Sequence, residues 1–222
     1  MTAMNHALAQ HNMVEQQLRP WDVIDPRVLE VMGELPREAF VEAAYRNLAY
    51  AEMELPIGDG QTMLQPKVEG RILQSLELAI DDRVLEVGTG SGWLTACLAR
   101  LAGHVVSIDN REAFTKGAGE RLAARGIDNV TLRTADLFAG ALDGEVEGFD
   151  AIAVTGAVDE IPDALLEAMK IGGRLFVVTG EAPRMEALLI TRLDAEQWEE
   201  ESMFDTVLPR LEQTPDEDLF DF

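Results

Sequence analysis

The sequence predicts a doubly wound α/β fold: a mostly parallel sheet with a helical N-terminal extension and a C-terminal antiparallel strand pair. Three observations carry this. A short apolar run enters a glycine turn at Val84-Leu85-Glu86-Val87-Gly88-Thr89-Gly90-Ser91-Gly92. Strand-like and helix-like patterns then alternate with short connections across residues 82–193. Acids recur in step with the strands: Glu86 in the turn, Asp109 ending the next run and Asp136 just after the third.

The N-terminal part, residues 1–80, reads as a helical segment. Met4–Leu18 and Pro26–Met32 have helix-compatible patterns, and Val68, Ile72 and Leu76 repeat at i, i+4 spacing. Between them, Leu55–Pro66 holds two prolines and two glycines, which predicts a shaped loop without regular structure. From residue 81 the core begins. Val84–Val87 suits a buried parallel strand, and Trp93–Leu101 a helix opening directly after the glycines. His104–Asp109, Asn129–Arg133, Phe149–Thr155 and Gly173–Thr179 predict four more strands. Glu112–Arg125 predicts a helix ending near Gly126. Pro162–Lys170 predicts another, with Pro162 in its first turn and Gly172-Gly173 stopping it. Met185–Leu193 and Trp198–Val207 supply the closing strand pair. The core is thus expected over 81–222, in one domain with the segment packed on it.

The glycines define the candidate chemistry. Gly88, Gly90 and Gly92 permit a sharp turn and close approach of backbone to a ligand, and the following helix aims free amides at it. A dinucleotide site follows G-x-G-x-x-G; here the spacing is G-x-G-x-G with Glu86 two residues ahead. That carboxylate opposes a pyrophosphate and suits a cation, which favours S-adenosylmethionine, a phosphate-free nucleoside carrying an ammonium and a sulfonium. A dinucleotide and a purely structural turn remain the alternatives. Asp109, with Asn110 after it, lies about 20 residues beyond the turn, where a carboxylate accepts from ribose hydroxyls. Asp136 is placed to accept from an adenine amino group, with Leu137 covering the ring. Glu86, Gly88, Thr89, Gly90, Gly92, Asp109, Asn110, Asp136 and Leu137 are therefore the candidate cofactor residues. They gather, with Thr155, beyond the carboxyl ends of the strands, where open parallel sheets bind ligands.

Composition narrows the partners. The chain has 41 acids against 18 bases, a net charge of −23, and only Lys67, Lys116 and Lys170 are lysines. Such a surface repels phosphate backbones, so no nucleic acid is expected. The acids are densest in Asp194–Phe222, which holds eleven acids and one base, Arg210. That run reads as a solvated surface suited to high salt, or alternatively as a tail for a partner. Cys97 is the single cysteine, which fits a reducing compartment. No apolar run approaches a membrane span, and Met1–Gln10 lacks a basic flank and a long apolar stretch, so a cytoplasmic location is expected. His6, His11 and His104 show no metal spacing, and no metal is expected.

Several further pieces carry a specific resemblance. Met13-Val14-Glu15-Gln16-Gln17-Leu18, Asp25-Pro26-Arg27-Val28-Leu29, Val31-Met32 and Leu35-Pro36-Arg37-Glu38-Ala39-Phe40 stand in order. Tyr45, Leu48-Ala49-Tyr50, Gly58-Asp59-Gly60-Gln61-Thr62, the glycine turn and Phe149-Asp150…Val154-Thr155 follow. Together they resemble the protein-L-isoaspartate O-methyltransferases over nearly the whole chain. The resemblance implies a Rossmann-like methyltransferase fold, S-adenosylmethionine as cofactor, and methylation of the free carboxylate of isoaspartyl residues in damaged proteins. It assigns the cofactor to Glu86, Gly88, Gly90, Asp109 and Asp136, and an acceptor loop to Gly58–Pro66, with Gly60, Gln61, Leu64 and Gln65 as contact positions. One position departs from the family. Its loop carries Thr-Ile-Ser before Gln65-Pro66, the serine being the usual active-site residue, whereas this chain reads Thr62-Met63-Leu64. Leucine donates no hydrogen bond, which leaves Thr62 and Thr155 as candidate catalytic hydroxyls. The alternatives are a different acceptor, such as a small acid or another protein carboxylate, and a cofactor-binding module without transfer.

Overall fold

The computed structural model describes residues 5–212. Helix α1, His6–Met13, is capped by Asn5, whose side chain accepts from the Leu8 amide, and runs on into a π turn at Val14–Leu18. Helix α2, Pro26–Glu34, starts with a proline and is capped by the Asp25 carboxylate on the Arg27 amide.

The segment read as an irregular loop contains a small hairpin. Strand β1, Leu55–Gly58, pairs antiparallel with β2, Gln61–Met63. Gly58, Asp59 and Gly60 all have positive φ (100°, 50° and 74°), so the chain reverses fast enough for Leu55 to face Met63. The glycines marked irregularity correctly, but they act as the turn of an element. Helix α3, Pro66–Ser75, follows and buries Val68, Ile72 and Leu73.

The core alternates as expected: β3 Arg83–Val87, α4 Trp93–Leu101, β4 His104–Asp109, α5 Glu112–Ala123, β5 Val130–Thr134, β6 Phe149–Val158, α6 Asp163–Glu167, β7 Met169–Glu181, β8 Arg184–Arg192 and β9 Trp198–Thr206. They form one seven-stranded sheet in the order β5-β4-β3-β6-β7-β8-β9. The first five are mutually parallel; β8 and β9 add antiparallel at one edge. One boundary needs correction. The helix expected over Pro162–Lys170 ends at Glu167, and Met169 already pairs with Phe149 in the sheet. Burial of Met169 against the sheet outweighs another helical turn, and Gly172-Gly173 lie inside β7 without stopping a helix.

Successive residues of β3 point to opposite faces, and each face has a core. Val84 joins Met13, Leu18, Phe40, Trp93 and Phe176 on one side. Leu85 and Val87 join Ile108, Phe149, Leu165 and Val177 on the other. The N-terminal helices are thus part of the same core as the sheet. The chain reverses its winding beside β3, between β4 and β6, and a crevice opens there at the carboxyl ends of the strands. No helix among the described residues is long and apolar enough to cross a membrane.

Candidate active site

The crevice is an open cleft of about 920 Å³, its solvent mouth included. Its floor is the glycine turn. Gly88, Gly90 and Gly92 have φ of 96°, 49° and 81°, a region that side chains rarely enter. A Cβ on Gly88 would overlap the Thr155 hydroxyl, and one on Gly92 would stand 2.8 Å from the Ala118 side chain. Gly92 therefore serves the packing of α4 on α5, while Gly88, Thr89 and Gly90 line the cleft.

Glu86 sits fully buried beneath this turn. In the β3–β4 register it lies opposite Ser107, and its Oε2 accepts from the Ser107 and Thr95 hydroxyls. Its Oε1 has no partner. Burial pushes the carboxyl up to about 8, against those two hydroxyls, and repulsion from Asp109 and Glu69 adds to the rise. Asp109, at the end of β4, uses both oxygens on backbone: Oδ2 accepts from the Gly90 amide at 2.9 Å and Oδ1 from the Arg111 amide at 3.0 Å. Burial raises its carboxyl as well. Asp109 thus fixes the turn as well as facing the cleft. Asp136 caps a short turn by accepting from the Phe138 amide at 2.8 Å, and Leu137 lines the wall beside it. The Asn110 side-chain amide donates to the Glu212 carbonyl at 2.8 Å.

The opposite wall comes from the hairpin. Gln61, Thr62, Met63 and Leu64 line the cleft; Gly60 shapes the turn, and Gln65 stands as the N-cap of α3. The two candidate hydroxyls are already engaged. Thr62 donates to Glu54 Oε2 at 2.9 Å, and Thr155 donates to the carbonyls of Val87 and Gly88, both at 3.0 Å. Thr155 supports the glycine turn from below.

Three features escaped the sequence reading. Arg37, fully buried, donates to the carbonyls of Ala49 and Leu64 and pairs with Glu69. Glu69, in the first turn of α3, is buried and lines the cleft beside Glu86. Burial raises its carboxyl against the neighbouring guanidinium. Finally, residues 209–212 line the cleft, with backbone bonds from the Ala157 amide to the Pro209 carbonyl and from the Leu211 amide to the Ala157 carbonyl. Ser107, a lone hydroxyl within an apolar strand and opposite an acid in register, was the one available signal for the support of Glu86.

The protein-L-isoaspartate(D-aspartate) O-methyltransferase family model matches residues 9–207. The chain belongs to this family. It is 39% identical over 185 residues to protein-L-isoaspartate O-methyltransferase 2 of Pelobacter propionicus, covering 83% of this chain and 81% of that one. It is 41% identical over 181 residues to the protein-L-isoaspartate O-methyltransferase of Syntrophus aciditrophicus, with 82% of each covered. The fold matches a Plasmodium falciparum chain described as a protein-L-isoaspartate O-methyltransferase and solved with S-adenosyl-L-homocysteine. The TM-score is 0.81 at 21% identity, over 96% of this chain and all of that one. Leu64, at the departure from the family's loop, lines the cleft as a buried residue, 6% exposed.

Proposed function

We propose that this chain transfers a methyl group from S-adenosylmethionine to the free carboxylate of isoaspartyl residues in proteins. One observation carries the cofactor half: the unpartnered Glu86 Oε1 at a cleft lined by the backbone of the glycine turn. A buried acceptor without a donor is costly, and the ammonium of the methyl donor is a group that removes the cost. Glu86 would hold that end, the free lone pairs of Asp109 the ribose, and Asp136 with Leu137 the adenine. When bound, the donor supplies an electrophilic methyl group on a sulfonium. The chain's own residues need not remove a proton, because a carboxylate acceptor is ionised at neutral pH. Their work is to exclude water and to align the acceptor oxygen with the methyl carbon. The hairpin wall, Gln61 to Leu64, does this from the acceptor side. Thr62 would contribute a hydroxyl only after leaving Glu54. Residues 1–80 thus act as the acceptor-side segment and 81–222 as the donor core, and the single cysteine fits a cytoplasmic setting.

Incubation with labelled S-adenosylmethionine and an isoaspartyl peptide is expected to label the peptide; no label above a Gly88→Arg control refutes the reaction. A second reading has its own observation. Met63 and Leu64 present apolar surface where a hydroxyl is usual in the family, which favours another acceptor, such as a small acid. Turnover on small carboxylates with the peptide silent would establish it, and Leu64→Ser is then expected to restore peptide labelling.

A further inference from the structure

Glu69 is a buried carboxyl group, paired with Arg37, to which the reaction above gives no role. It stands on α3, outside the donor core, yet its side chain reaches the cleft floor beside Glu86. Arg37 lies behind it. The guanidinium is fully buried, does not line the cleft, and also donates to the Ala49 and Leu64 carbonyls. The ion pair therefore turns its carboxylate end toward the cleft and its cationic end into the core. Its charge is felt at Glu86, whose own ionisation it opposes. The floor next to the glycine turn is thus lined by two carboxyl groups. The cleft's arginines, Arg111 and Arg210, are tied to Glu212 and Asp159.

We propose that Glu69, anchored by Arg37, is a specificity-determining residue that makes the cleft prefer the cationic methyl donor over its neutral-sulfur product. This rests on the cofactor reading given above. S-adenosylmethionine and S-adenosylhomocysteine differ by one methyl group and one positive charge at sulfur. A carboxylate held in a low-dielectric wall acts on that charge, while contacts to adenine, ribose and ammonium are common to both ligands. Glu69 therefore biases exchange toward the donor and weakens product inhibition.

Calorimetric dissociation constants for both ligands, measured in parallel at low salt, test this. In Glu69→Gln, which keeps an acceptor for Arg37, the preference for S-adenosylmethionine over S-adenosylhomocysteine is expected to fall about threefold to tenfold. Glu69→Asp, which keeps the charge, is expected to retain the preference. An unchanged ratio overturns the proposal, whether both ligands weaken together or neither does. Should Glu69→Gln fail to fold, the double variant Arg37→Met/Glu69→Met removes the pair together, a change buried ion pairs often tolerate, and the same ratio decides. A wild-type chain that binds neither ligand refutes the cofactor reading itself, and this inference with it. Binding of both with an unmoved ratio refutes this inference alone.

Discussion

At the scale of single residues, the cleft depends on carboxylates that hold its backbone in place. Asp109 accepts from the Gly90 and Arg111 amides, so Asp109→Ala strands two donors at about 1–3 kcal/mol each. S-adenosylhomocysteine affinity is expected to drop at least about tenfold, read by calorimetry; unchanged affinity would show that the turn holds its shape without the clamp. Glu86 makes a pH prediction. Its carboxyl rises from 4.5 to about 8 on folding. A raised folded value means that the group's contribution is fully present below about 4.5 and is lost as the pH climbs through about 8. The ligand-free protein should therefore lose urea resistance across that interval, and Glu86→Gln should lose less. Parallel slopes for the two proteins would remove Glu86 as the cause. Gly88→Ala is expected to destabilise by about 1–3 kcal/mol, because φ is 96° and the new methyl meets the Thr155 hydroxyl.

At the scale of elements, the site is a junction between two pieces of chain. The β3 turn and α4 come from the sheet, and the hairpin and α3 come from the N-terminal segment. Arg37 joins them by binding the Leu64 carbonyl and Glu69 while its guanidinium lies 5.5 Å from the centre of the Trp93 ring, at the start of α4. Arg37→Ala leaves the Glu69 carboxylate buried without its counter-ion, a loss of about 3–5 kcal/mol. The denaturation midpoint should fall accordingly. A shift within the scatter of surface substitutions would show that the junction does not depend on this pair.

For the whole molecule, 41 acids against 18 bases leave a charge of −23 that opposes compactness. Edge strand β9 exposes Glu199, Glu200, Glu201 and Asp205, which discourages pairing with another sheet edge. Salt screens the self-repulsion, so the melting temperature should rise from low to molar salt; a flat response would sink the high-salt interpretation of the surface. The acidic tail from residue 213 onward lies outside the described residues.

The glycine turn, the order of strands and helices, and the acids at the strand ends were legible because each is a local pattern: apolar period, breaker residues, a carboxylate at a fixed offset. Those patterns determined the fold class and which residues of the sheet line the cleft. The hairpin in the N-terminal segment was not legible, since its pairing depends on three consecutive positive φ angles, one of them at Asp59. Nor was the end of α6, which sheet pairing at Met169 overrides. Tertiary structure alone decided that the hydroxyls of Thr62 and Thr155 are committed to protein acceptors, and that Arg37 and Glu69, 32 residues apart, meet under the cleft. A charge in a helix reads in sequence as solvated surface. Only packing shows which face it turns inward, and what it finds there.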